Sequence, residues 1–409
     1  MQPVTRRELV RYSLFAAPLA MAALPIYVHV PKLYAELGLS LSAMGALLLV
    51  LRFADAFVDP LLGRWSDRLT TRFVAVAVAA IALILGMLAL LNPLASPVPL
   101  WGWLTGSLIL VYLGFSLATI AYSAWGAELP PDTTSRTKLT ASREGVGLVG
   151  VLIAAALPSA LASHSGLGLA RFSWVFVAVL VATLLILWRL REAKLAVDHS
   201  QPAPLLDVLK DRRFVALLAV FALNGIASAI PATLLLFFID DVLRAKDWEP
   251  FFLVSYFLAG AVAMPLWVAL ANRLGKVQAW GVGMLLAVLA FFWTATFGAG
   301  DRVAFLVVCI ASGIALGADL ALPPALLADA IDKQNAREKT GSYFGIWTFA
   351  TKANLALAAG LALPVISAFG YRSGEPTSNV AALSLAYTLL PCALKLCALA
   401  LLWKIHRRF

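Results

Sequence analysis

The sequence has little charge. Only 13% of its 409 residues are Asp, Glu, Lys or Arg, against 62% that are hydrophobic. A soluble domain carries roughly 25% charged and about 45–50% apolar residues, so a water-facing globular surface does not fit. Cysteine is scarce too: Cys309, Cys392 and Cys397 all fall inside apolar runs. That argues against a disulfide framework or a cysteine-based metal site and leaves them as small packing residues. The chain has no HExxH, no GxSxG, no Walker loop and no His/Cys cluster, so it offers no constellation for an enzyme. It has no soluble signalling domain to support a receptor. Strand-length alternation is missing, which argues against a β-barrel. The N-terminus carries Arg6 and Arg7 and no small-residue cleavage site, so the first apolar run is expected to be a retained helix.

What the chain does have is apolar runs long enough for a hydrocarbon core of about 30 Å, each roughly 20 residues or more. Lipid cannot satisfy backbone N–H and C=O groups, so such runs must be helices. Twelve are expected, at 9–31, 40–63, 72–93, 100–127, 137–163, 170–191, 213–239, 250–271, 276–298, 302–329, 341–369 and 379–403. The fold class is therefore an all-α membrane protein. The net charge of +10 suits the positive-inside rule better than nucleic-acid binding, because the basic residues sit in alternate loops. One set of loops and ends holds clusters such as Arg6, Arg7 and Arg11, or Arg64, Arg68 and Arg72. The other set holds only Lys32, Arg171, Arg244, Lys246, Arg302 and Arg372. Both termini are accordingly expected on the cytoplasmic side of a bacterial-type inner membrane.

The longest inside loop, about 192–212, divides the chain into an N-terminal half (1–195), a linker (196–212) and a C-terminal half (213–409). The halves look like copies. Pro60 precedes Asp67-Arg68 as Pro265 precedes Asn272-Arg273, an offset of 205. The stretch ending in Glu128 matches the one ending in Asp329, an offset of 201, and its followers Asp132 and Arg136 match Lys333 and Arg337 in spacing. Paired six-helix halves are a common transporter design, with the solute site near mid-membrane.

The chemistry concentrates in Arg52-Phe53-Ala54-Asp55-Ala56-Phe57-Val58-Asp59-Pro60. At about 100° per residue, positions 52, 55 and 59 fall on one helical stripe. A charge at the bilayer centre costs roughly 2.5–3.5 kcal/mol on insertion scales. Three on a stripe call for an interior cavity and partners. Asp55 and Asp59 are read as a site for Na+ or a proton, with Arg52 balancing charge; the competing reading is a structural ion-pair stripe between helices. Other polar residues in the apolar runs, namely His29, Asn224, Asp319, Asn354 and Lys395, are candidates for a solute cavity or for bonds between helices, with His29 near an outer helix end where it can also meet water. Asp319 is the best of them. Lys395 is read first as a snorkelling or structurally paired residue.

Gly63-Arg64-Trp65-Ser66-Asp67-Arg68, running on to Arg72, resembles the loop motif of the major facilitator superfamily. The resemblance implies a conformational gate of Gly63, Asp67, Arg68 and Arg72, joined by Glu128, Asp329 and Asp332. Two later stretches narrow the likeness: Tyr122-Ser123-Ala124-Trp125-Gly126-Ala127-Glu128, and Ala325 to Asp332 followed by Gly341-Ser342-Tyr343-Phe344-Gly345-Ile346-Trp347 and Lys352. With the aspartate stripe, they resemble the glycoside–pentoside–hexuronide:cation symporter family over nearly the whole chain.

That resemblance implies cation ligands at Asp55, Asp59 and Ser116, with Lys352 as a competing or reporting charge. The family's asparagine just before the second aspartate is Val58 here, which removes an oxygen ligand and tilts the coupling ion from Na+ toward H+. The family's sugar ligands are mostly replaced: Leu19, Thr119 and Glu144 stand at their positions, with Arg143 beside the last. Thr119, Tyr122, Arg143, Glu144, Asp319, Asn224 and Asn354 are the resulting solute-cavity candidates. The expected function is cation-coupled transport of a sugar, glycoside or related organic solute by alternating access. The alternative is a lysolipid or other amphiphile. No cofactor, no resident metal beyond a coupling Na+, no nucleic-acid partner and a monomer are expected.

Overall fold

The computed structural model describes residues 5–37, 39, 41–69, 71–93, 100–129, 133–162, 165–190, 205–334, 336–371 and 379–405. Asp132 and most of the expected linker lie outside the described residues. The described residues form α-helices joined by short 3-10 and π-helical turns, with no strand among them. In order these are α1 (Arg6–Ser13), α2 (Ala16–Glu36), α3 (Leu41–Asp67), α4 (Arg72–Leu91), α5 (Leu100–Glu128), α6 (Thr133–Leu161) and α7 (Ser165–Trp188). Then come α8 (Arg212–Phe237), α9 (Glu249–Leu274), α10 (Lys276–Phe291), α11 (Arg302–Lys333), α12 (Thr340–Ala368) and α13 (Val380–Ile405). Eight spans among the described residues are long and apolar enough to cross a membrane by length and composition, from Arg72–Leu91 through Val380–Ile405.

The short α1 and the long α2 replace the single first helix expected at 9–31. Pro18 is the physical reason. It has no N–H to offer the carbonyl of Leu14, one helical turn back. Ala17 takes that carbonyl instead, in a tighter bond of 3.2 Å, and Phe15 bonds to Tyr12 at 3.3 Å. The helix breaks there and restarts. A capping box at Thr5 and Glu8 begins α1, with Thr5 N–H donating to Glu8 Oε2 at 2.9 Å and Glu8 N–H to Thr5 Oγ1 at 3.3 Å.

The chain forms two compact units. Unit 1 is Met1–Val208 with Ile331–Phe349, and unit 2 is Leu209–Ala330 with Ala350–Phe409. In unit 1, α4 packs on α5, α2 on α6, and α7 on both α4 and α6. The α4–α5 seam is tight because small residues line it. A Cβ at Gly114 would lie 2.9 Å from the Leu83 nitrogen and 3.0 Å from the Ala79 oxygen, a close approach that only glycine permits. The unit's core runs through Phe15, Met21, Leu83, Leu108, Phe172 and Phe176. In unit 2, α8 packs on α13, and α10 on α9 and α13. Aromatic rings build its core: Phe238 stacks on Tyr387 at 4.2 Å, and Phe252 meets Phe305 edge-on at 4.8 Å.

Candidate functional site

The charged stripe on α3 faces inward. Positions 55, 56, 59, 63 and 66 are buried, whereas 53, 54, 57, 61 and 65 are exposed. A helix with its carboxylates inside and its Phe53, Phe57 and Leu61 outside has the reverse of a soluble helix's polarity, as lipid demands. Ser116 of α5 donates its hydroxyl to Asp55 Oδ1 at 2.7 Å. Ser116 and Asp59 have no exposed surface and Asp55 only 5%. Two carboxylates one turn apart and a hydroxyl therefore share one dry location, and Arg52, half-buried, lies one turn before Asp55. This set can bind a proton or a small cation.

Further along α3, Asp67 meets the N-terminus of α12. Its Oδ1 accepts the Gly341 N–H at 2.6 Å, and its Oδ2 accepts the Ser342 N–H at 2.8 Å and the Ser342 hydroxyl at 2.7 Å. The first amides of a helix lack intrahelical partners and carry partial positive charge, so a carboxylate there is doubly favoured. Glycine makes the approach possible. A Cβ on Gly63 would collide with the Gly341 carbonyl, and one on Gly345 would lie 2.8 Å from the Asp59 carbonyl oxygen.

Arg72, at the start of α4, ties this latch to α5. Its guanidinium donates to Asp67 Oδ1 at 2.9 Å, to Ser66 Oγ at 2.9 Å, and to Glu128 Oε1 at 2.7 Å and 3.2 Å. A planar fork with five N–H groups serves several acceptors at once. Arg136 of α6 pairs with Asp332 at 3.0 Å. Arg68, the remaining residue of the expected gate, follows α3 directly. Unit 2 carries a counterpart pair: Lys276, opening α10, donates to Asp329 near the end of α11 at 2.6 Å. Glu128 and Asp329 were expected together. Their basic partners, Arg72 and Lys276, are 204 positions apart, one short of the offset that relates Pro60 to Pro265, a signal that the sequence contained.

Unit 2 also holds a partly open cavity of about 310 Å³. Its one charged pair is Asp319 of α11 and Lys395 of α13, 2.7 Å apart. Lys395 also donates to Asn224 Oδ1 of α8 at 2.8 Å, and the Trp280 indole N–H of α10 donates to Asp319 Oδ1 at 2.9 Å. Four helices thus meet at one polar cluster. Asn354 of α12 packs against Gly225, where a Cβ would collide with its amide.

The sequence matches the MFS/sugar transport protein family over residues 12–406. The chain belongs to this family. The glucuronide carrier protein homolog of Escherichia coli K12 is 25% identical over 396 residues, covering 90% of this chain and 84% of that protein. Among solved structures, the E. coli fucose:proton symporter superposes with a TM-score of 0.73 at 14% identity, covering 96% of this chain and 97% of that one. A bacterial homologue of the iron transporter ferroportin, in its outward-facing state, gives 0.73 at 16% identity over 97% and 99%. At those identities the structures establish the fold alone. The protein is a multi-pass membrane transporter of the major facilitator fold.

Within this transporter the other solute-cavity candidates are dispersed. Tyr122 is buried and stacked on Tyr12 at 4.3 Å, and Tyr12 donates to the Tyr122 carbonyl at 2.8 Å, so the ring joins α1 to α5. Arg143 pairs with its neighbour Glu144 at 3.0 Å and donates to Ser123 Oγ at 3.0 Å. Thr119 Oγ1 is enclosed on α5 with no hydrogen-bond partner among the described residues. Lys352 and Asn354 are buried on the unit 2 part of α12, and half-buried His29 lies on α2.

Proposed function

We propose that the protein is a secondary symporter that couples H+ or Na+ to the movement of a sugar, glycoside or related organic solute by alternating access. The observation that carries this is the Ser116 hydroxyl 2.7 Å from Asp55, with Asp59 one turn on and both carboxylates out of water. Carboxylates held at that depth cost free energy unless they bind a cation or accept a proton. Val58 between them offers no side-chain oxygen, and Na+ requires several oxygen ligands, which favours H+ over Na+ as the coupling ion. The printed names of two similar proteins, a glucuronide carrier homolog and a fucose:proton symporter, fit a sugar-type solute.

In the cycle, cation binding at Asp55 and Asp59 completes the solute site, and the contact of Asp67 with the α12 N-terminus is made and broken as access alternates. Lys352 acts as the charge that competes with the cation. The working form is a monomer in a bacterial-type inner membrane with both termini cytoplasmic, since one chain carries both halves of the machinery.

The test is uptake of a sugar panel into proteoliposomes under an imposed pH gradient or Na+ gradient. Accumulation is expected to follow the pH gradient and to vanish in Asp55→Asn and in Asp59→Asn. Full concentrative uptake by both variants would remove these carboxylates from the coupling mechanism.

A further inference from the structure

A groove of about 430 Å³ lies where the start of α8 meets the end of α13, the first and last helices of unit 2. Leu209, Val215, Ala216, Ala219, Leu401 and Ile405 give it an apolar floor, and Arg212 and Lys404 supply charge. No acid lines it among the described residues. Both cations are exposed, and neither has an ion-pair partner among the described residues.

The groove sits at a membrane boundary. Arg212 opens one apolar span, Arg212–Leu243, and Lys404 stands next to the end of another, Val380–Ile405. From Arg212 to Ala219 the wall reaches about 10 Å along α8 into the apolar part of the span, at 1.5 Å per residue. Trp403, 76% exposed, directly precedes Lys404, and tryptophan concentrates at the level of lipid headgroups.

The charge is not that of a bare helix end. Asp211 caps α8, and its carboxylate accepts the Arg213 N–H at 2.9 Å, so the positive charge in the groove belongs to side chains. The positive-inside rule asks for basic residues near the ends of spans. It does not ask that two unpaired cations, from the two end helices of a unit, flank one apolar groove. A guanidinium offers a planar fork that matches phosphate oxygens, and an ammonium adds a point charge. A free phosphate would meet the cations and leave the floor unused. A phosphatidylcholine head brings a cation of its own. A phospholipid with a net negative head satisfies both parts of the groove.

We propose that this groove binds an anionic phospholipid of the surrounding bilayer, with its phosphate on Arg212 and Lys404 and an acyl chain along Val215, Ala216, Ala219 and Leu401. The site is independent of the solute and of the coupling ion. A basic residue at the membrane surface favours an anionic lipid by about fivefold, so the pair is expected to give about thirtyfold.

The experiment adds equal amounts of palmitoyl-oleoyl phosphatidylglycerol and phosphatidylcholine to the purified full chain in detergent and counts the retained lipids by native mass spectrometry. Phosphatidylglycerol is expected to be retained tenfold or more over phosphatidylcholine. Arg212→Gln combined with Lys404→Gln is expected to cut that preference below threefold. Arg6→Gln combined with Arg7→Gln removes the same charge from the exposed start of α1 and is expected to keep it. Arg212→Lys retains the charge and is expected to retain most of the preference. Inorganic phosphate in large excess is expected to leave the lipid in place. The absence of a preference in the wild type overturns the proposal without any variant. An equal loss in the two double variants would mean diffuse surface charge, and displacement by phosphate would mean a small-anion site; either overturns it, as does a preference that survives the loss of Arg212 and Lys404.

Discussion

Replacing Asp67 by asparagine keeps the side chain's size and removes its charge. Asp67 accepts three hydrogen bonds from the first residues of α12, at 2.6, 2.8 and 2.7 Å. Bonds to charged groups are worth about 1.5–3 kcal/mol net, against about 0.5–1.5 for neutral ones. A loss of about 1 kcal/mol per bond gives roughly 3 kcal/mol in all. At 1.4 kcal/mol per tenfold, the latched state loses about 10²-fold in population relative to the unlatched state. Arg72 cushions the change, since it keeps Glu128 at 2.7 Å. The effect therefore falls on the latch and not on the α4–α5 seam. Thr340, buried at the start of α12, is a suitable reporter. In a background lacking Cys309, Cys392 and Cys397, Thr340→Cys is labelled with a maleimide on the purified protein. Any bond lost with the threonine hydroxyl is lost in both backgrounds, so their ratio isolates Asp67. With fast opening and closing, labelling tracks the unlatched population. Asp67→Asn is expected to raise the rate about 10²-fold on the energies above. A change below about threefold, under 1 kcal/mol, would refute the assignment of Asp67 as the latch.

Two further outcomes follow from the same geometry. Val58→Asn places an oxygen ligand between Asp55 and Asp59 and is expected to raise the Na+ dependence of uptake; an unchanged ion preference would show that this position sets neither affinity nor rate. Gly345→Ala puts a Cβ 2.8 Å from the Asp59 carbonyl oxygen and is expected to push α12 off α3, with a stability loss of about 1–3 kcal/mol in a thermal-unfolding assay. Retention of wild-type stability would mean that α12 yields at no cost.

What was legible in the sequence follows from the range of each signal. The apolar runs mark the helices because a lipid-spanning segment advertises itself locally, and the spacing of Asp55 and Asp59 marks a shared face because a helix is periodic. Ser116 was placed by family likeness, and the structure sets its hydroxyl 2.7 Å from Asp55. The latch partner was hidden. A helix N-terminus capped by its own preceding residue has a sequence signature, whereas one capped from 274 and 275 positions away has none. The Asp319–Lys395 pair is similar, since its members lie 76 positions apart and neither shows which of several buried polar residues it meets. Lys395 read as a residue that snorkels or pairs, and pairing is what the structure shows. The break at Leu14 was within reach, because Pro18 announces a missing hydrogen bond, but Pro25 and Pro31 follow in the same run and the sequence does not say which of the three interrupts the helix.

The repeat explains both the shared ion pairs and the difference between the units. Arg72 with Glu128 and Lys276 with Asp329 are one device built twice, a basic residue opening one helix and an acid ending the next. The copies diverge at the position of Asp67, which in the second half is Asn272. An arginine serves three acceptors in unit 1 because Asp67, Ser66 and Glu128 surround it. A lysine, a compact charge without a planar fork, is sufficient in unit 2, where Asp329 is the acid it meets. Divergence runs the other way in the bundle interior. At the offset that relates Arg72 to Lys276, Trp280 corresponds to Val76, a fully buried apolar residue in the core of unit 1. Unit 1 therefore keeps Asp67, Asp55 and Asp59 beside an apolar core, whereas unit 2 sets one of its buried ion pairs, Asp319 with Lys395, at a cavity. Duplicated halves under no separate demand would keep the same polar residues in the same places. Among the positions at which the two differ are Asp55 and Asp59, the carboxylates proposed above for coupling, which stand in unit 1 alone.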